Sequence, residues 1–296
     1  MMRISVIGAG QMGNGIAHVF AQHGHDITLV DIAQDRLNNA VESISRNLDR
    51  QVIKGLLTEQ GKKDSIARIA TQVDLAAGVG KADLVVEAAT ENIELKLKIF
   101  KDLDANAPPA CILATNTSSI SITRIAGATA RPGLVIGMHF MNPVPVMKLV
   151  EVIAGYNTTK TTSDTVVALC VAIGKEPVVV NDYPGFVANR VLMPMLNEAI
   201  ETLYNGVAGV REIDQVMKLG MAHPMGPLQL ADLIGLDTCL AILRVLQDGF
   251  GDPKYAPCPL LTQMVTAGKL GMKSGEGFYQ YTKGSKDLVV APPFAR

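Results

Sequence analysis

Two residues in the middle of the chain could do acid–base chemistry together: His139 and, twelve residues on, Glu151. The run Leu134-Val135-Ile136-Gly137-Met138 reads as a buried strand ending at His139. Pro143 and Pro145 then bracket a turn, and a second short apolar run carries Glu151. A chain that goes out and returns in this way can set an imidazole beside a carboxylate. That is the arrangement of a general base whose tautomer is fixed by an acidic partner. A partly buried histidine with an unrelated surface glutamate would leave the same pattern, and one histidine alone does not choose between them.

The elements that must position this pair alternate along the first 180 or so residues. Strands are expected at Ile4–Ile7, Asp26–Val30, Arg68–Thr71, Asp83–Glu87, Cys111–Asn116, Leu134–His139, Leu149–Ile153 and Pro177–Val180. Helices fit Gly13–His23, Ala33–Lys54, Asn92–Ala105 and Thr162–Gly174. Interleaving of this kind implies an α/β fold with a doubly wound, mostly parallel sheet. Asp182-Tyr183-Pro184-Gly185 makes a break, after which the pattern is helical throughout. Val187, Val191, Met195, Ala199 and Leu203 form one stripe. Pro227 suits a first helical position, and the helix after it is apolar on most faces (Leu228, Leu230, Leu233, Ile234, Leu236, Leu240, Leu243, Leu246). Such a helix belongs in a core or a subunit interface. The expected organisation is a nucleotide-binding domain over 1–182 and an all-helical C-terminal domain over 183–296.

Ile4-Ser5-Val6-Ile7 leads into Gly8-Ala9-Gly10-Gln11-Met12-Gly13 and then a helical segment, so GxGxxG stands in its required strand–turn–helix setting. Gly8 permits the tight turn, Gly10 lets a pyrophosphate approach the backbone, and Gly13 lets helix and strand pack closely. The second strand ends in Asp31, near the spacing expected of a ribose-binding acid, which favours NAD over NADP. The sheet is therefore expected to be of the Rossmann type. Ligands of open α/β sheets gather beyond the carboxyl ends of the strands. Loops there carry Glu91, Asn116-Thr117-Ser118-Ser119 and His139. A hydroxyl in that loop could hold a substrate oxygen or cap the next helix. Asn189, in the first turn after the Pro-Gly break, could close over the site or be an ordinary polar residue at a helix start.

Composition excludes several classes. A net charge of −1 argues against a general nucleic-acid or membrane-surface binder, and absent Trp with 4% aromatics argues against base-stacking platforms. Cys111, Cys170, Cys239 and Cys258 are scattered, with no CxxC and no histidine spaced to complete a zinc site, so no metal is expected. The N-terminus enters a strand by Arg3, and the uncharged apolar stretch Pro132 to Met147 holds His139, Asn142 and three prolines. Neither suits a signal peptide or a membrane span, which predicts a soluble, cytoplasmic protein.

Together these residues resemble the (S)-3-hydroxyacyl-CoA dehydrogenase family, over nearly the whole chain. The resemblance rests on Gly8 to Gly13, Val85-Val86-Glu87-Ala88, Asn116 to Ser119, His139 to Glu151, Pro184 to Arg190, and Lys273-Ser274-Gly275-Glu276-Gly277-Phe278-Tyr279. It implies NAD as cofactor and a short-chain acyl-CoA as substrate. His139 would take the C3 hydroxyl proton, Glu151 would bond the other imidazole nitrogen, and Ser118 and Asn189 would orient the C3 oxygen and the thioester carbonyl. Gln11, Met12, Glu91, Lys96, Asn116, Ser118, Asn142 and Lys273 are implied cofactor contacts. It also implies a helical pair, about 34–68, that grips coenzyme A. Residues 46–68 hold six basic residues against three acidic ones, and Arg46, Arg50 and Lys54 recur on one helix face. Arg50 and Lys54 are the implied CoA contacts, and a solvated helix face would carry the same charges. Asn47 stands where some members have Ser, a departure from the family's pattern at that contact. Met141 stands where relatives commonly have Phe, with only altered packing expected. A homodimer through the C-terminal domain is a further implication.

Other readings compete. Dehydrogenases of free 3-hydroxyacids rely on a lysine early in the helical domain, and none occurs between Lys175 and Lys218. A same-fold dehydrogenase of a sugar acid such as gulonate is nearer, though the basic 46–54 face speaks mildly against it. From another class, the chain could be a catalytically silent NAD-binding protein, which intact Ser118, His139, Glu151 and Asn189 argue against.

Overall fold

Runs of Val, Ile and Leu short enough for strands alternate with amphipathic helices through the first 183 residues, and a computed structural model shows what they build. It describes residues 1–282, 284–285 and 287–295, in two units: Met1–Tyr183, and the chain from Pro184 onward.

In the first unit, β1 (Arg3–Ile7), β2 (Asp26–Val30), β3 (Ile69–Gln72), β4 (Leu84–Glu87), β5 (Ile112–Thr115) and β6 (Val135–Phe140) are parallel. β7 (Leu149–Ala154) runs back against β6, and β8 (Glu176–Asn181) lies parallel to β7. The order is β3-β2-β1-β4-β5-β6-β7-β8, so it reverses between β1 and β4, where a ligand crevice opens beyond the strand ends. β4, β5 and β6 are buried at every position, as strands covered on both faces are.

The helices of this unit are α1 (Gln11–Gln22), α2 (Gln34–Ile53), α3 (Glu59–Ala67), α4 (Leu75–Val79), α5 (Ile93–Asn106), α6 (Ile122–Ala126) and α7 (Lys160–Ala172). Side chains of Thr58, Asp74, Asn92, Ser121 and Thr159 cap α3 to α7, each contributing about 1 kcal/mol. By contrast, α1 starts from Gly10, which has no side chain to cap it. Leu37, Ala40, Ile44 and Leu48 seat α2 on the core and leave its basic face outward.

The second unit holds α8 (Ala188–Tyr204), α9 (Val210–Gly220), α10 (Pro227–Ile234), α11 (Leu236–Phe250) and α12 (Pro259–Thr266). A small antiparallel pair, β9 (Tyr279–Gln280) and β10 (Val289–Val290), is added to the expected helices. Two sequence expectations need correction. The stripe from Val187 to Leu203 is the buried face of α8 only in its later part: Val187 and Val191 are exposed, Met195, Ala199 and Leu203 reach the core, and Met193, Leu196 and Ile200 make up the rest of the buried face. A strict i+4 row advances about 40° around a helix at each step, so it winds off the face on which it began. The long apolar helix after Pro227 is two helices, broken at Gly235, whose φ is +102°.

Asp232, fully buried on α10, accepts hydrogen bonds from the Phe278 and Tyr279 N–H groups (3.0 and 2.9 Å) and from the Tyr281 hydroxyl (3.0 Å). Burial pushes its carboxyl up to about 6 despite those bonds, and nearby Asp214 adds to the rise. Since the folded value lies above the ordinary 3.8, the protonated acid favours the native state. That contribution is complete below pH 3.8 and is lost as pH rises through about 6. Asp232→Asn is therefore expected to flatten the fall of Tm across this window, measured by calorimetry against pH. An unchanged slope would show that another group is responsible.

Candidate active site

The antiparallel register of β6 and β7 pairs His139 with Glu151 directly. Nδ1 of His139 lies 2.8 Å from Oε2 of Glu151, and the two side chains are 11% and 3% exposed. The imidazole therefore gives Nδ1 to the carboxylate, which fixes the ring plane and the tautomer. The turn joining the strands is seated from two sides. The buried ammonium of Lys175 donates to the carbonyls of Val144 (2.5 Å) and Met147 (2.7 Å), and burial lowers its pKa. Val144 packs on α1 at Gly15, where an added Cβ would lie 2.9 Å from its own Cβ.

The loop after β5 is organised by Glu91. One carboxylate oxygen accepts from the Thr117 hydroxyl (2.5 Å), the Ser118 N–H (2.9 Å), the Ser119 hydroxyl (3.1 Å) and the Ser118 hydroxyl (3.3 Å). Burial works to raise the Glu91 carboxyl, but the Lys96 ammonium and these donors outweigh it and hold it below the usual carboxylate range. Asn116 Oδ1 accepts the Phe140 N–H at 2.9 Å, joining the ends of β5 and β6 next to His139. Lys96, expected among the cofactor contacts, lies beneath them. It is 1% exposed and bonds both oxygens of Glu87 at 2.7 and 2.9 Å.

At the β1–β4 crevice the glycine loop is fitted to a phosphate ligand. Gly8 has φ +100°, and a Cβ there would lie 2.7 Å from the Ala88 carbonyl oxygen. A Cβ on Gly13 would lie 1.7 Å from the Gly8 carbonyl oxygen, whereas one on Gly10 would meet nothing within 4 Å. The loop is thus packed on its inner side and open at the side from which a pyrophosphate would come. Asp31 Oδ2 accepts the Ala9 N–H at 2.8 Å, and Arg36 stands 3.9 Å from Oδ1. A cavity of about 430 Å³, lined among others by Gly8, Gly10, Asp31, Arg36 and Ala89, continues from the loop. Gln11 Nε2 donates to Asn142 Oδ1 at 3.1 Å, tying the glycine loop to the turn after His139. The Met12 side chain packs on the core, which leaves its N–H as the group at the loop.

The comparisons with known proteins agree with this geometry. Residues 3–183 match the NAD-binding domain of 3-hydroxyacyl-CoA dehydrogenase, and residues 185–281 match its C-terminal domain. The chain belongs to the 3-hydroxyacyl-CoA dehydrogenase family. It is 52% identical over 286 residues to a 3-hydroxybutyryl-CoA dehydrogenase of Bradyrhizobium diazoefficiens, covering 97% of each chain. It is 49% identical to one of Clostridioides difficile, covering 95% of this chain and all of that one. Among solved structures, (S)-3-hydroxybutyryl-CoA dehydrogenase of Ralstonia eutropha superposes with a TM-score of 0.93 at 48% identity, over 96% of this chain and all of that one.

In this family member the remaining expected residues stand as follows. Asn189 is buried in the first turn of α8, with its N–H on the Gly185 carbonyl. Lys273 pairs with Asp237 of α11. On α2, Arg46 pairs with Glu42 at 2.5 Å and Arg50 bonds Asn47 at 3.2 Å; Arg50 and Lys54 are exposed. Among the described residues no cluster suited to a metal ion occurs, and no helix is long and apolar enough to cross a membrane. Sequence reasoning assigned no role to Glu87, Thr115 or Lys175. The first had a legible signal, a carboxylate ending an otherwise apolar buried strand.

Proposed function

We propose that this enzyme interconverts (S)-3-hydroxyacyl-CoA and 3-oxoacyl-CoA, with short chains such as 3-hydroxybutyryl-CoA preferred and NAD as the redox partner. The observation that carries the reading is the buried His139–Glu151 pair at the same sheet edge as a glycine loop fitted to a dinucleotide. The bound nicotinamide supplies the hydride acceptor for oxidation and the donor for reduction. His139 takes the proton of the C3 hydroxyl through Nε2, since Nδ1 is committed to Glu151. The Glu151 carboxylate stabilises the imidazolium that results. Ser118 and Asn189 orient the C3 oxygen and the thioester carbonyl, and the loop held by Glu91 fixes Ser118. Gly8, Gly10, Gly13 and the N–H groups of Gln11 and Met12 hold the pyrophosphate, and Asp31 takes the adenosine ribose. Asn116, Asn142 and Lys273 complete the cofactor contacts, and exposed Arg50 and Lys54 attract the coenzyme A phosphates. The second unit is proposed to dimerise, and the four free, buried thiols suit a reducing cytoplasm.

Glu151→Gln keeps size and hydrogen-bonding reach but removes the charge facing the imidazolium. Turnover is expected to fall about 10²-fold or more while NADH affinity holds, read from steady-state rates and a fluorescence titration. Unchanged turnover would reduce Glu151 to a packing residue.

The function is tested by assaying acetoacetyl-CoA with NADH beside gulonate with NAD. NADH oxidation with the thioester and none of the reverse signal with gulonate is the expected result. Activity on gulonate alone would assign the site to a sugar acid, and silence with both would mark a non-catalytic NAD binder.

A further inference from the structure

The ion pair of Glu87 and Lys96 is the most buried pair of charges in the first unit, at 0% and 1% exposure, and no step above uses it. Withdrawing two charges from water is costly, and apolar residues of the same volume usually serve stability as well or better. Its connections give it another role. Glu87 ends β4, and its Oε1 accepts the Ala89 N–H (2.6 Å) as well as Lys96. Its Oε2 accepts the hydroxyl of Thr115 (2.7 Å), the last residue of β5 and the one before Asn116. The same ammonium has a second carboxylate in reach: Glu91 Oε2 lies 3.3 Å from Lys96 Nζ. The remaining oxygen of Glu91 carries Thr117, Ser118 and Ser119. Lys96 also reaches the Ala89 carbonyl at 3.3 Å, and the neighbouring Ala88 carbonyl walls the glycine loop at Gly8.

We propose that Glu87 is a positioning residue of the active site: its carboxylate fixes Lys96 between two carboxylates, and Lys96 thereby fixes Glu91 and the Ser118 loop. One ammonium shared by two carboxylates is a defined compromise. With Glu87 in place, Lys96 stays under β4 and Glu91 keeps its oxygen on the loop. Without that charge, Glu91 is the only carboxylate within reach of Lys96, and the ammonium draws it off the Ser118 donors. Displacement of about 1 Å at a substrate-orienting group costs on the order of 10²-fold in rate. This role rests on the function proposed above, because Ser118 matters here as the residue that orients the C3 oxygen.

The experiment compares wild type, Glu87→Gln, Glu87→Gln/Lys96→Met and Thr115→Val in acetoacetyl-CoA reduction, NADH titration and thermal unfolding. Glu87→Gln is expected to lower kcat about 10- to 100-fold, with NADH affinity within about threefold and the pH profile unshifted, since His139 and Glu151 are untouched. The double variant is expected to regain stability without regaining turnover, because Glu91 has lost its ammonium. Should Glu87→Gln not fold, Thr115→Val, which removes one bond to Glu87, is expected to lower kcat about three- to tenfold with NADH binding unchanged. Wild-type kcat in folded Glu87→Gln or in Thr115→Val, or a double variant that recovers both stability and turnover, would overturn the proposal and leave a purely structural pair. A wild type silent toward acetoacetyl-CoA would instead overturn the function above and this role with it.

Discussion

Replacing His139 by Gln is expected to lower kcat by about 10²–10⁴, equivalent to about 2.7–5.5 kcal/mol of transition-state stabilisation, with little change in NADH affinity. The amide of Gln can still donate to Glu151, so the carboxylate, 3% exposed, keeps a donor and the strand pair keeps its register. What Gln lacks is a basic ring nitrogen that can take up the substrate's proton. The glycine loop and Asp31 lie on other strands and are untouched, so cofactor binding separates cleanly from chemistry. Alanine would be a poorer choice. It removes the donor from a buried carboxylate and would cost stability on the order of 3 kcal/mol, confusing lost rate with lost fold. Steady-state kinetics with acetoacetyl-CoA and a fluorescence titration with NADH check the prediction. Near-normal turnover would remove His139 from the chemistry.

The second large effect is expected at Gly13. A methyl group there would sit 1.7 Å from the Gly8 carbonyl oxygen and 2.9 Å from its carbon, both backbone atoms. No rotamer relieves such a clash, so α1 must withdraw from the loop. Gly13→Ala is expected to weaken NADH binding about 100-fold or more, about 2.7 kcal/mol, and to cost about 1–3 kcal/mol of stability. Gly10→Ala is the matching control. Its methyl meets nothing within 4 Å, so stability should change by less than about 0.5 kcal/mol. The same methyl occupies the approach of the phosphates, and NADH affinity should fall about tenfold or more. Calorimetric titration of both variants beside their denaturation curves tests the pair. Gly10→Ala with wild-type affinity would mean that the pyrophosphate does not pass over this loop.

Much of the site was legible because local patterns report it. The turn around Pro143 and Pro145, between two apolar runs, set His139 and Glu151 on neighbouring strands, and the observed register makes them direct partners. The glycine loop was legible because Gly8 and Gly13 answer steric demands of the fold and Gly10 stands at the spacing that goes with them. The features that escaped depend on partners distant in the chain. Lys96, expected from the resemblance as a cofactor contact, lies buried against Glu87 of β4, a partner that its place on α5 does not announce. Lys175, which drew no role from the sequence, has its ammonium buried against the carbonyls of Val144 and Met147, residues about thirty positions earlier. The break at Gly235 was hidden because apolar residues continue at helical spacing through it, so periodicity alone did not expose a glycine at positive φ. Along α8, an i+4 row looked like a single face, although the helix carries it from the exposed side at Val187 and Val191 onto the core at Ala199.

The part of His139 in hydride transfer is read by a single-turnover experiment. Enzyme in stoichiometric excess, loaded with NADH, is mixed rapidly with acetoacetyl-CoA, and NADH absorbance is followed for wild type and His139→Gln. The expected result is loss of one equivalent of NADH per acetoacetyl-CoA in the wild type, and the same loss at least about 100-fold more slowly in the variant. Equal rates in the two proteins, or no loss of NADH in the wild type, would contradict it.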